Sequence, residues 1–221
     1  MRIATWNLAG RWDARHLGLL EGLDADVLLL TEVSQRLELP GHHLARTPED
    51  MAEGRSWAAI ASRRPIDEVR HPHPATLAAT IDDVRLACSI LPWRGCTPRP
   101  FWVGERLVDK QVHAAAAVEA DTPQVWGGDW NQAFVGPESA GTIAGREWLR
   151  AALDRLGLTL PTAGLPHRIE GAASIDHVAV PTTWEMTEAL RVDAAHEGRR
   201  LSDHDAYVVT AAPGPTSRPL A

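Results

Sequence analysis

The stretch VWGGDWNQAF, from Val125 to Phe134, places a large indole between an acid and an amide, after a short apolar run and two glycines. If residues 124–128 form a strand that runs into Asp129, side chains two residues apart point the same way. Asp129 and Asn131 then share one face of the strand, and Trp130 takes the other face. The stretch therefore predicts a packed indole and two polar groups that project together.

The two glycines of the same stretch allow another group to approach the backbone closely at the end of the strand. Ligands commonly bind at this position in open α/β sheets, so we expect a ligand near Gly127 and Gly128. An Asp-x-Asn pair after a strand is also a common turn or helix cap, and the motif alone does not choose between these alternatives.

Four further polar clusters follow apolar runs in the same way. Each has an ordinary structural explanation as a turn residue, a solvated strand end, a satisfied buried acid or a polar loop, and it is the repetition within one chain that favours a functional site. The clusters are Asn7 in RIATWN, Glu32 in LLLTEV, Asp176-His177 in SIDHVAV, and Asp203-His204-Asp205 in LSDHDAYVV.

Strand and helix patterns are interspersed along the chain, which predicts a mixed α/β fold. We expect a single domain over residues 1–210 and a disordered tail over 211–221, where proline and small residues dominate. The expected strands are 2–6, 26–31, 57–62, 66–69, 76–81, 84–91, 124–127, 174–180, 184–192 and 206–210, and the expected helices are 13–23, 104–120 and 145–156. The continuous apolar run of residues 26–31 is typical of a strand covered on both faces.

The chain has 221 residues and a formal net charge of -7, so it does not attract a polyanion as a whole. Tight binding to nucleic acid would require a local basic patch, and the compact candidates are Arg63-Arg64 and Arg199-Arg200. No run is long enough to span a membrane, and no apolar signal region follows Met1. We therefore expect a cytoplasmic protein.

Taken in order, the motifs TWN, LLLTE, SRRPI, GGDWN, SIDHVAV and SDHD resemble those of the endonuclease/exonuclease/phosphatase superfamily, which has the DNase I-like fold. The resemblance runs from Arg2 to about Val209. It implies a four-layered α/β sandwich, in which two mixed β-sheets pack face to face and helices flank them. It also implies a metal-dependent phosphoesterase that hydrolyses phosphodiester bonds, or alternatively phosphomonoester bonds.

The resemblance also implies a role for each polar residue at the strand ends. Mg²⁺, or Mn²⁺ in its place, is the implied cofactor, and the substrate is a phosphoester of a nucleic acid, a small molecule or a lipid head group, with no protein partner predicted. By position, Glu32 matches the principal metal ligand with Asn7 beside it, and Asp203 matches an additional acid near the metal or the leaving group. Asp129 matches the acid that orients or deprotonates the attacking water, and Asn131 matches the amide that holds the water or a phosphate oxygen. His204 matches the catalytic histidine, and Asp176 matches the acid that orients it.

Two departures from the family pattern bear on the substrate. Ala9 stands where many members carry an acid, and the segment SILPWRG lacks the usual histidine or tyrosine, so that Arg94 becomes a candidate phosphate contact. These departures also allow a catalytically silent member that binds a phosphorylated ligand or partner in the same cleft. A third alternative, an unrelated fold with accidental motifs, predicts that the polar residues lie far apart.

Three histidines outside these motifs have weaker patterns. His71 and His73 lie in the proline-rich segment RHPHP and are expected to be exposed, and His113 lies on a predicted helix without a visible partner.

Overall fold

The fold is seen in a computed structural model, which describes residues 1–136 and 140–214. The described part contains three α-helices, α1 (Ala14–Gly22), α2 (Leu107–Ala120) and α3 (Ile143–Leu156), and a 3-10 helix at Pro161–Gly164. The strands are β1 (Arg2–Asn7), β2 (Val27–Ser34), β3 (His43–Arg46), β4 (Asp50–Ala52), β5 (Arg55–Ser62), β6 (Glu68–His73), β7 (Thr76–Ile81), β8 (Val84–Ile90), β9 (Val125–Asp129), β10 (Leu158–Thr159), β11 (Asp176–Pro181), β12 (Trp184–Val192), β13 (Ala195–His196), β14 (Arg199–Arg200) and β15 (Ala206–Pro213).

Two large mixed sheets contain most of these strands. The first has the order β12-β15-β1-β2-β5-β3, with β4 paired to β5, and the second has the order β10-β11-β9-β8-β7-β6. In the first sheet β1 is parallel to β2 and antiparallel to β15; in the second, β9 is parallel to β8 and antiparallel to β11. The predicted pair of mixed sheets is confirmed.

Side-chain alternation along β2 shows how the sandwich is layered. Val27 and Leu29 pack into a cluster between the two sheets, while Leu28 and Leu30 pack on the opposite face of the first sheet, together with Leu20 of α1. The second sheet packs its outer face against α2 and α3. The order is therefore α1, first sheet, second sheet, then α2 with α3, which is the predicted four-layered arrangement.

The topology brings five chain segments to one edge of the sandwich. An antiparallel strand begins where its neighbour ends, so β15 begins beside the end of β1, and β11 begins beside the end of β9. Asp176 at the start of β11 is paired in register with Asp129 at the end of β9. The polar clusters that follow apolar runs in the sequence thus meet at this edge.

Several sequence-based boundaries were wrong. β15 continues to Pro213 and Ala211 is buried, so the predicted tail began too early, because continued pairing with β12 outweighs the weak strand propensity of this segment. Residues 215–221 lie outside the described part. The strand expected at 66–69 occupies Glu68–His73 instead.

His73 is buried rather than exposed. Its ring stacks on Trp102 at a centroid distance of 5.0 Å and lies 6.2 Å from the ring of His113, which itself is exposed. Packing against Trp102 and Phe101 thus buries the His73 side chain, which the proline-rich sequence around it did not predict.

No helix in the described ranges is both long and apolar enough to cross a lipid bilayer. Cys88 and Cys96 are buried free thiols.

Gly127 and Gly128 are required by the protein itself rather than by a ligand, which corrects the expectation from the sequence. A Cβ atom on Gly127 would lie 2.6 Å from Leu29 of the facing sheet, and one on Gly128 would lie 2.2 Å from the Ser89 carbonyl oxygen. Gly128 also has a φ of +122°, which L side chains rarely adopt. The glycine pair therefore lets β9 fit closely against β8 of its own sheet and against the first sheet.

This close fit predicts that Gly128→Ala lowers the free energy of unfolding by at least about 2 kcal/mol, because it adds backbone strain to a steric clash. The matched control is Gly18→Ala on the exposed face of α1, where a Cβ meets nothing within 4 Å. That change should stabilise the protein by about 0.5–1 kcal/mol through helix propensity. Urea unfolding measures both, and equal stability of the two variants would contradict the role given to Gly128.

Candidate active site

One amide connects the carboxylates of the two sheets. The Nδ2 atom of Asn7 donates to Glu32 Oε1 at 3.1 Å and to Asp129 Oδ2 at 3.0 Å. The backbone N–H of Ala9 donates to Asn7 Oδ1 at 2.9 Å, which fixes the orientation of the amide. The amide nitrogen of Asn7, rather than its oxygen, therefore faces the acids, and Asn7 holds Glu32 and Asp129 in place relative to each other.

His204 lies between two buried acids. Its Nδ1 atom is 2.7 Å from Asp176 Oδ2, and its Nε2 atom is 4.0 Å from Asp129 Oδ2. Asp176 is fully buried and Asp129 is 3% exposed. One ligand atom from each of the three residues lies within 4.8 Å of the others, so the cluster is also a candidate metal site.

The charges of this cluster shift the pKa values of its members. Burial on its own would lower the pKa of His204, but the charges of Asp176 and Asp129 outweigh it and raise the pKa to about 10. Burial, followed by the charge of Asp176, raises the pKa of Asp129 above its ordinary range. His204 is therefore an imidazolium at neutral pH, and Asp129 is a carboxyl group that binds a proton more readily than an exposed aspartate.

A set of hydrogen bonds ties the His204 loop to β1. The hydroxyl of Ser202 donates to the Asn7 carbonyl at 2.6 Å and accepts from the His204 N–H at 3.1 Å. The indole Nε1 of Trp6 donates to the His204 carbonyl at 3.1 Å. Trp6 thus packs in the core and also fixes the His204 loop, a role for which the sequence gave no signal.

The next residues of this loop differ in their environments. Asp203 is exposed, whereas Asp205 is buried and pairs with Arg200 at 2.7 Å and with Arg191 at 3.3 Å. Asp205 therefore has a structural role, and Asp203 stays a predicted acid near the metal.

The indole of Trp130 is buried as predicted, with its ring centroid 4.4 Å from that of Trp126. Strand alternation, however, does not orient Asn131, because β9 ends at Asp129 and Asn131 has a φ of +50°. Its N–H donates to Asp129 Oδ1, and its Nδ2 donates to the Leu91 carbonyl, both at 3.0 Å. A left-handed turn thus places Asn131 beside Asp129.

Arg55 is a charged residue of the site that the sequence did not reveal. Its Nη1 atom lies 2.6 Å from Glu32 Oε2, and its guanidinium fills the space beside Gly10, where a Cβ atom would lie 2.2 Å from Arg55 Nε. Arg55 opens β5 without any motif around it, and only the β2–β5 pairing brings it to Glu32. Its charge balances that of Glu32, while the Glu32 side chain remains 21% exposed.

A second histidine lies beside the cluster. The ring of His167, which no motif indicated, is 6.4 Å from that of His204, and burial lowers its pKa. Arg94 is exposed in the loop that follows β8, so its contact with a substrate phosphate stays a prediction. The polar residues are close together, which rules out accidental motifs on an unrelated fold.

The chain belongs to the endonuclease/exonuclease/phosphatase family, whose model matches residues 4–204. The family name covers enzymes that cleave phosphoester bonds, so a phosphoesterase is the class that fold and sequence support. No curated protein matches the chain.

Many solved structures share the fold. A 3'-5' exonuclease (NExo) from Neisseria meningitidis is 20% identical, with a TM-score of 0.68 over 97% of this chain and 100% of that one. An AP endonuclease from Archaeoglobus fulgidus is 17% identical, with a TM-score of 0.69 over 95% and 98% of the two chains. An endonuclease/exonuclease/phosphatase from Beutenbergia cavernae is 18% identical, with a TM-score of 0.70 over 97% and 72%. At these identities the likeness establishes the fold alone.

The contact between His204 and Asp176 predicts the protonation state of the metal-free protein. In an NMR titration the imidazole of His204 should stay protonated through neutral pH and lose its proton near pH 10. Asp176→Asn removes the charge that stabilises the imidazolium, so this titration should move to lower pH. Asp67→Asn, at an exposed acid before β6, is the matched control and should leave it unchanged. A His204 that titrates alike in all three proteins would refute the ion pair.

Proposed function

We propose that the protein is a Mg²⁺-dependent phosphoesterase that hydrolyses phosphodiester bonds, with phosphomonoesters as the second substrate class. The observation that carries the proposal is the continuous chain of contacts from Glu32 through Asn7 to Asp129 and on to His204 and Asp176. This chain links a partly exposed carboxylate to a buried acid and a cationic imidazole. Phosphoester hydrolysis requires such a combination of metal ligand, proton acceptor and positive charge.

The donor set fits a hard divalent cation. Mg²⁺ prefers one or two carboxylates and keeps several waters, and Glu32 supplies a carboxylate that is accessible to solvent, with Asp129 close by. Among the described residues, Asp176 Oδ1 is a buried carboxylate oxygen without a hydrogen-bond partner. We propose that Glu32 holds the ion with Asn7 and Asp203 nearby. Such an ion would neutralise charge on the phosphate oxygens.

The protonation states assign the remaining roles. The pKa of His204 is raised to about 10, so its imidazolium has no free lone pair and serves as a positive charge beside the phosphate. Asp129 therefore takes the proton of the attacking water, since its raised pKa makes it a stronger base than an exposed aspartate. Asn131 orients the water or a phosphate oxygen, Asp176 holds the imidazolium, and Arg94 contacts the substrate from the neighbouring loop.

A nuclease is the first candidate within this class. The exonuclease and the AP endonuclease that share the fold support it, and a cytoplasmic location would suit it. A small-molecule or lipid phosphodiesterase is the alternative. A silent binding protein is less well supported, because burying two acids around an imidazolium costs stability, and a protein that only binds has no need for this arrangement.

The test is hydrolysis of bis-p-nitrophenyl phosphate with Mg²⁺ or Mn²⁺. Turnover should disappear with chelator, and His204→Ala and Asp129→Ala should each lower it by a factor of about a hundred or more, the scale for loss of an acid/base or electrostatic group. His71→Ala, which removes an exposed histidine of β6, should retain full activity. Absence of metal-dependent turnover in the wild type would favour the silent alternative.

A further inference from the structure

A second polar pocket adjoins the candidate active site. It has a volume of about 290 Å³ and lies between the loop that joins β1 to α1 and the β13–β14 hairpin. We call it the arginine pocket, because Arg11, Arg36, Arg199 and Arg200 line it, together with Trp12. The proposed mechanism uses none of these residues.

The charge of the arginine pocket is strongly positive although the chain carries a net charge of -7. Arg11, Arg36 and Arg199 are exposed, and in the described residues no carboxylate lies within ion-pair distance of them. Arg200 pairs with Asp193 and Asp205. The one acid that lines the pocket, Asp13, contacts His16 Nδ1 at 2.7 Å and caps α1. Three arginines that line one pocket without an acidic partner create a site for an anion, and guanidinium groups suit phosphate in particular.

The arginine pocket shares its walls with the candidate active site. Gly10 lines the pocket, and its N–H donates to the Glu32 carbonyl at 2.8 Å. Leu201 also lines the pocket and directly precedes the Ser202–His204 loop, while its carbonyl accepts from Arg11 Nη1 at 3.3 Å. A ligand in the pocket therefore lies beside the predicted metal ligand and the His204 loop.

We propose that the arginine pocket binds a phosphate of a nucleic-acid strand, next to the phosphate that is cleaved. The proposal rests on the proposed function and narrows its substrate class. The volume is near the lower end of the roughly 300–1,000 Å³ usual for small-ligand sites, which suits one nucleotide unit. The partly buried indole of Trp12 offers a surface on which a base or sugar stacks, as in single-strand binding proteins.

The other basic pair of the chain provides a matched control. Arg63 pairs with Asp24 at 2.7 Å and Arg64 with Asp82 at 3.0 Å, so both guanidinium groups already have acidic partners. The double variants Arg36→Ala/Arg199→Ala and Arg63→Ala/Arg64→Ala remove the same formal charge from exposed positions. Any difference between them reports on the site rather than on net charge.

The first measurement is binding of a fluorescein-labelled ten-nucleotide single-stranded DNA in chelator, by anisotropy. The Arg36→Ala/Arg199→Ala variant should bind at least about tenfold more weakly than the wild type, because one charge-assisted hydrogen bond is worth about a factor of ten. Its affinity should also depend less on salt. The Arg63→Ala/Arg64→Ala variant should bind like the wild type. No binding by the wild type, or equal losses in both variants, would overturn the proposal.

The second measurement compares substrates under catalytic conditions. The pocket variant should lose at least about ten times more kcat/KM on the oligonucleotide than on bis-p-nitrophenyl phosphate, which has no neighbouring phosphate. Equal losses on both would overturn the proposal. A wild type that binds DNA through the pocket in chelator but hydrolyses neither substrate would refute the proposed function and leave the pocket assignment standing.

Discussion

The pairing of two buried acids around one imidazole is the constraint on which the site depends. Asp129 and Asp176 lie opposite each other on adjacent strands, and both carboxylates are removed from water. Two like charges in such a position repel, and the burial of each costs several kcal/mol. The His204 imidazolium offsets this cost, which is why its pKa rises despite burial. Loss of the imidazolium charge leaves the two buried carboxylates uncompensated.

The rest of the protein holds these three charged side chains in place through apolar packing and through hydrogen bonds to the backbone. Trp6 and Ser202 fix the backbone of the His204 loop to β1, and Trp130 anchors the chain just after Asp129. The indoles that alternate with polar residues in TWN and GDWN thus have a common task, because each packs while its neighbour faces the site. Glycine at position 128 allows β9 to approach β8 closely enough for this packing.

Local patterns in the sequence predicted a mixed α/β fold and polar residues at the strand ends, whereas the four layers were implied by the resemblance of the ordered motifs to a known superfamily. Apolar runs that are buried on both faces identify central strands. A polar residue that ends such a run therefore lies at the end of a central strand, at the edge of the sandwich. Arg55 and Arg36 carry no such signal, since only strand pairing and loop packing bring them to Glu32 and to the arginine pocket. The prediction for Gly127 and Gly128 was wrong for the same reason, because strand and sheet packing cannot be seen in the sequence. A group does approach the backbone closely at these glycines, but it belongs to Leu29 and Ser89 of the protein rather than to a ligand.

The arginine pocket resolves an apparent conflict between the net charge of the chain and the proposed nucleic-acid substrate. An acidic chain is a poor match for a polyanion, and the pair Arg199-Arg200 alone is a weak reason to expect nucleic-acid binding. The fold adds Arg11 and Arg36 to this pair beside the candidate site, which creates a local patch of the kind that binding requires.

The central claim is that Asp129 and His204 act as one unit, and a double-mutant cycle on kcat/KM tests it most directly. If they cooperate, Asp129→Ala/His204→Ala should be hardly less active than the worse single variant, because either change alone already disables the unit. Losses that multiply in the double variant would show that the two residues act independently, and this result would contradict the account.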